Sequence, residues 1–223
     1  MSLLDLLFPK SCLECGKAGQ YICQNCVSKV KTPQTICPVC LRFSLHGTHR
    51  LCRNTLGLDG LTCLWKYEGV IRKAILRLKY NFALEISKEI SDFAVQKLLT
   101  SRSAFFKNGI LVPVPLFWYR KNWRGFNQTE EIGRRIAAGL GLEFEPNLLT
   151  RGRAKAPQTE LSRKDRLNNI KGVFSMASEP IFSSNYKIIL FDDVWTTGST
   201  LSEAALVLKQ GGAKSVWGLT LAR

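Results

Sequence analysis

Acidic side chains are scarce in this sequence. Against 32 Lys and Arg stand only 17 Asp and Glu, a formal net charge of +15. That excludes a neutral or acidic surface and points to phosphate-rich ligands, nucleic acid or anionic membrane as partners. Long apolar runs are also missing. No stretch approaches the ~18 consecutive apolar residues of a membrane span, so no membrane insertion is expected. Residues 1–10 carry an apolar run but neither a basic n-region nor a small-residue cleavage site, which argues against a signal peptide. A cytoplasmic protein is expected, and disulfides are rare in that compartment. Low-complexity tracts are absent. Hydrophobic content of 45%, with 10% aromatic residues, excludes wholesale disorder and supplies a packed core.

The eight cysteines therefore need another role. All but Cys63 lie in the first 52 residues, and this shift in composition sets a boundary near residue 58. The expected division is a cysteine-rich zinc-binding module, 1–58, and a larger domain, 59–223. Cys12 with Cys15, and Cys23 with Cys26, are two pairs of the C-x₂-C type. Each pair forms a tight knuckle, and two knuckles close a tetrahedral zinc site. Cys37, Cys40 and Cys52 follow the same plan with a gap. Parallel spacing suggests His49 as the missing ligand; His46 could also fill it, and the alternative is a degenerate site without metal. Four ligands leave no open position, so both sites read as structural. Cys63, between Leu61 and Leu64, reads as a small core residue.

Beyond the module, strand-like and helix-like segments alternate, the pattern of an α/β domain with a parallel sheet. Strands are predicted at 61–67, 109–114, 187–191 and 215–221, and helices at 70–80, 84–99 and 199–210. A further helix starts at Asn127, whose side chain could cap it while Glu130 reaches back, with Ile132, Ile136 and Leu140 forming its apolar stripe. Gly211 and Gly212 are expected to end the last helix in the left-handed conformation.

The segment 187–200 carries the chemistry. Ile188, Ile189, Leu190 and Phe191 make a buried strand, Asp192 and Asp193 sit at its carboxyl end, and a hydroxyl-rich turn leads straight into a helix. Ligands of open α/β sheets bind at that end of the strands. Amides at a helix N-terminus suit a phosphate dianion. Thr196, Thr197, Ser199 and Thr200 add hydroxyl donors, and Gly198 allows close approach. Two carboxylates suit a pair of sugar hydroxyls or Mg²⁺. Together these groups describe a site for ribose 5-phosphate.

These residues resemble the 5-phosphoribosyl-1-diphosphate (PRPP) motif of type I phosphoribosyltransferases. From Cys12 to Arg223 the chain is similar to the ComF/GntX family, through Leu78-Lys79-Tyr80, Val112 to Pro115, Arg124 to Gln128, Pro157 with Gln158, Leu161 with Ser162, and Arg166 with Asn169. Trp195 departs from the family, which more often places a smaller apolar residue there. The resemblance implies a type I phosphoribosyltransferase-like fold: a parallel sheet flanked by helices, preceded by the small zinc-binding module. It implies that Asp192 and Asp193 hold the ribose hydroxyls and 196–200 the 5-phosphate, with Lys79, Pro113 and Arg124 also at the PRPP site. Mg²⁺ would neutralise a departing diphosphate. No general base carries a distinctive signature, so the catalytic residues and the acceptor stay unassigned. The family is associated with natural competence, which implies competence proteins and single-stranded DNA as partners.

Two basic stretches bear on that partner. Residues 118–126 hold three cations among four aromatics and no acid, and 151–171 hold seven cations against Glu160 and Asp165. Cations interleaved with aromatics suit single strands, since rings stack on bases while Arg and Lys follow phosphates. The same residues could instead be loops that close over a diphosphate. Two functions remain open: an enzyme transferring ribosyl phosphate, or a DNA-binding accessory protein that uses the fold for binding only. A metal-sensing or redox-regulated partner protein is a third.

Overall fold

The computed structural model describes residues 10–53, 57–78, 83–101, 106, 108–116, 127–152, 172–177 and 187–223. Strand β6 (Lys187–Val194) is its axis, because the run from Ile188 to Phe191 is fully buried and must be covered on both faces. Parallel neighbours flank it: β7 (Ser215–Ala222) on one side and β2 (Gly109–Pro113) on the other. The sheet is completed by β1 (Gly60–Trp65) beyond β7 and the two-residue β3 (Glu143–Phe144) beyond β2, giving the order β1-β7-β6-β2-β3, parallel throughout.

Alternation along β6 sorts the helices. Ile189 and Phe191 share one core with α2 (Gly69–Arg77), α3 (Ala83–Ser101) and α4 (Gln128–Leu140). Ile188 and Leu190 point the other way, into a core with Leu201, Ala204, Ala205 and Leu208 of α5 (Ser199–Gln210). An antiparallel pair, β4 (Leu149–Arg151) and β5 (Phe174–Met176), packs against α5.

The cysteine module shares the first of these cores. Cys12, Ile22, Cys23, Cys26, Val27 and Val30 are buried in the cluster that holds Ile71, Ile75 and Ile86. A short helix, α1 (Gln24–Lys29), contributes two of them. The carboxylate of Glu89 on α3 accepts from the amides of Tyr21 (3.2 Å) and Ile22 (2.7 Å). Ion pairs Lys10–Glu85 and Lys73–Glu14, at 2.7 and 3.0 Å, add to the contact.

Differences from the sequence expectations have local causes. Strand β1 stops at Trp65 instead of Tyr67, because the Lys66 amide turns to the Lys31 carbonyl of the module. The helix expected over 70–80 runs Gly69–Arg77, and residues 79–82 lie outside the described set. Asn127 caps α4 by accepting from the Thr129 amide at 3.1 Å, while Glu130 pairs with Arg134 at 3.2 Å. Of the two glycines after α5 only Gly212 is left-handed, at φ 98°; Gly211 has φ −75° and continues the turn. Among the described residues no helix is long and apolar enough to cross a membrane.

Candidate functional site

Strands β2 and β6 are neighbours, yet the chain leaves them in opposite directions. From β2 it passes through α4 to β3 at one edge, and from β6 through α5 to β7 toward the other. This divergence opens a crevice at the carboxyl ends of the two strands, the position where open α/β sheets bind ligands.

The groups around it can be named. Pro113 ends β2 in register with Phe191, and the Val114 amide donates to the Phe191 carbonyl at 2.8 Å, so 113–114 run beside the acid pair. Asp192 and Asp193 occupy the end of β6, both half-buried. Asp192 Oδ1 accepts from the Asp193 amide at 2.9 Å, and Asp193 Oδ1 from the Val194 amide at 2.7 Å. Burial pushes the Asp192 carboxyl well above the usual carboxylate range, with the Asp193 charge adding to it and the Arg151 guanidinium opposing it. A divalent cation or paired sugar hydroxyls would relieve that cost, so the donor set suits either.

The turn follows at once. Gly198 has φ 79°, and a β-carbon there would stand 2.2 Å from the Trp195 ring, so only glycine fits. Trp195 is 4% exposed and belongs to the core that holds Val112, Leu190 and Leu201, with its ring against Gly198 of the turn. Thr197 Oγ1 and Ser199 Oγ are hydrogen-bonded at 2.8 Å. Gly198, at the N-cap of α5, has no side chain to cap it, and the Ser199 amide makes only a long 3.4 Å hydrogen bond to Thr197 Oγ1, so an anion at this helix N-terminus would have a stronger acceptor to offer. Thr196 is exposed and Thr200 half-exposed at the same bend.

Of the residues expected at this site, 113, 192, 193 and 196–200 lie at one rim. Lys79 and Arg124 fall outside the described residues, as do Tyr80, Pro157, Gln158, Leu161, Ser162, Arg166 and Asn169. Two residues were not singled out for the site. Gln128 is buried and donates from Nε2 to the Leu78 carbonyl at 2.8 Å, tying the end of α2 to the start of α4. Arg151, on β4, lies over the Phe174 ring at 5.3 Å and acts electrostatically on Asp192. Its only sequence signal is its place at the head of the basic run 151–171.

The cysteine module brings its ligand-type atoms into two groups. The thiols of Cys12, Cys15, Cys23 and Cys26 lie within 4.8 Å of one another, as do those of Cys37, Cys40 and Cys52 with a ring nitrogen of His49. Zn–S bonds of ~2.3 Å in a tetrahedron set sulfurs ~3.8 Å apart. Cys15 and Cys23 Sγ are 3.7 Å apart, and Cys40 Sγ is 3.3 Å from His49 Nδ1, so the donor sets fit zinc. His49 Nε2 lies 3.1 Å from the Phe43 carbonyl and can donate to it, which leaves Nδ1 for the metal. His46 is not in this group. Cys63, half-buried on β1, belongs to neither.

Known proteins match this arrangement. The model of the double zinc ribbon domain matches residues 3–56. The chain is 31% identical over 205 residues to the DNA utilization protein YhgH of Escherichia coli, covering 87% of each. It is 31% identical over 218 residues to competence protein ComFC of Bacillus subtilis, covering 93% of this chain and 86% of that protein. Among solved structures, glutamine PRPP amidotransferase from B. subtilis shares 16% identity over 65% of this chain and 30% of its own, at a TM-score of 0.42. On the near-full-length relatives, the chain belongs to the ComF/GntX family of competence-type proteins.

Proposed function

We propose that the crevice between β2 and β6 binds PRPP or a closely related phosphoribosyl ligand. The observation that supports this reading is the meeting, at one rim, of an acid pair and a helix N-terminus with glycine at its cap and hydroxyls before it. Thr196, Thr197, Ser199 and Thr200, with the first amides of α5, take the 5-phosphate. Asp192 and Asp193 take the ribose 2- and 3-hydroxyls, and the backbone after Pro113 borders the diphosphate. Arg124 and Lys79 are proposed to reach the same ligand. Magnesium, when bound with PRPP, supplies charge neutralisation for the diphosphate. The protein's part is positioning and electrostatic stabilisation of an electron-poor C1. Transfer of ribosyl phosphate to an acceptor belongs to this proposal.

The cysteine groups are proposed to hold two structural zinc ions, Cys12, Cys15, Cys23 and Cys26 one and Cys37, Cys40, His49 and Cys52 the other. The setting we propose is DNA handling in the cytoplasm during competence. It is supported by relatives that bear the names competence protein and DNA utilization protein. The charge of +15 favours a second reading, in which single-stranded DNA is bound and the crevice serves binding alone.

Calorimetry with PRPP and Mg²⁺ tests the first reading. Binding that disappears in the Asp192→Asn, Asp193→Asn double variant supports it; heat that is absent, or unchanged in the variant, removes it. Release of diphosphate on mixing with candidate acceptors then separates transfer from binding alone.

A further inference from the structure

A second cavity lies at the opposite end of the sheet order from β3, around edge strand β1. It encloses about 430 Å³, between β1, the C-terminal half of α3, and the segments 32–36 and 44–47 of the cysteine module. Ligand sites for small molecules span ~300–1,000 Å³, so the space takes a small organic body.

Its walls define what that body is. Leu61, Leu64, Leu98, Phe106 and Trp217 make them mainly apolar and aromatic. Trp217 is held in place, because its Nε1 donates to Thr62 Oγ1 at 3.0 Å. Among the described residues no Asp or Glu lines the cavity, and Lys97 is the one Lys or Arg that does. The Lys97 ammonium donates to Thr32 Oγ1 at 2.8 Å and lies 5.2 Å from the Trp65 ring centre. Desolvation lowers its pKa, so the ammonium sits where its charge is under-solvated. An anion that keeps its body in the apolar part of the cavity and its charge at Lys97 gains a stronger Coulomb attraction there than at the open surface, against the cost of desolvating it.

We propose that this cavity is a binding site for a lipophilic monoanion, an aromatic or aliphatic body carrying one carboxylate, sulfonate or phosphate ester directed at Lys97. It is separate from the phosphoribosyl crevice. Because the cysteine segments 32–36 and 44–47 form one wall, occupancy also braces the module against the sheet.

Fluorescent probes of matched shape test this on the full, zinc-loaded chain. The probes are 8-anilino-1-naphthalenesulfonate and its uncharged counterpart N-phenyl-1-naphthylamine. The sulfonate is expected to bind one saturable site per chain. Lys97→Met should weaken it by about tenfold, the worth of a charged hydrogen bond, and leave the neutral probe within about twofold. Cys63→Phe, which enlarges a half-buried residue lining the cavity, should weaken both. Zinc content and the melting curve report whether each variant is folded; if Cys63→Phe is not, the Lys97→Met comparison decides alone. Unsaturable sulfonate binding, equal losses for the two probes, or no loss in a folded Lys97→Met protein overturns the proposal.

Discussion

The indole of Trp195 and the α-carbon of Gly198 are in such close contact that a β-carbon on the glycine would stand 2.2 Å from Cζ2. A bulky, buried side chain thus lies under the turn, wedged between the core and the bend.

Gly198→Ala is expected to disrupt the bend. A left-handed L-residue costs about 1–2 kcal/mol, and the clash with a buried ring adds to that. We expect Tm to fall by several degrees and PRPP affinity by more than tenfold. Thermal melts and calorimetry read both, and a variant with unaltered affinity would show that the turn does not hold the phosphate.

Asp192 offers a test by pH. Its folded-state pKa is raised, chiefly by burial, so the folded protein binds its proton more tightly than the unfolded chain does. The stability this confers is complete at pH below the unfolded value near 4 and is lost as pH rises toward the folded value. Magnesium- and ligand-free Asp192→Asn should therefore match wild type in acid and exceed it in Tm at neutral pH, while losing PRPP. A constant difference across the pH range would contradict the assignment.

Metal analysis should find about two zinc ions per chain, falling to about one in His49→Ala. His46→Ala should keep both. If His46→Ala loses an ion and His49→Ala does not, the second ligand set is misassigned.

Glu89 anchors the module through two backbone amides. Glu89→Ala removes two charge-assisted bonds and is expected to cost about 2–3 kcal/mol in urea unfolding. Loss of less than ~0.5 kcal/mol would assign docking to apolar contacts alone.

For DNA, affinity for single strands should fall with salt, log K against log salt sloping about −0.7 for each phosphate neutralised. A flat response would reject the second reading.

Where each chain element carried its own signal, the sequence was readable. The four apolar residues before Asp192 and the amphipathic run of α5 lie where periodicity put them, α5 to the residue. Asn127 announced its helix by the chemistry of its side chain. What escaped was non-local. Strand β3 has two residues, too few for any period, and the β4–β5 pair joins residues about 25 positions apart. Spacing alone left His46 and His49 both open, because the choice depends on how the loop from Cys40 folds back. Arg151 gave no sign of its electrostatic effect on Asp192, which depends on where the β4–β5 pair packs against α5.

Since Cys12, Cys23 and Cys26 are buried in one cluster with helices α2 and α3, and Ile36 in the other core, the cysteine module is no detachable appendage. Stripping the metals would uncover the apolar flank of the α/β domain, so chelation and heat should melt the molecule in a single cooperative step. The crevice at the carboxyl ends of β2 and β6 is thereby tied to metal loading of the cysteine module through folding.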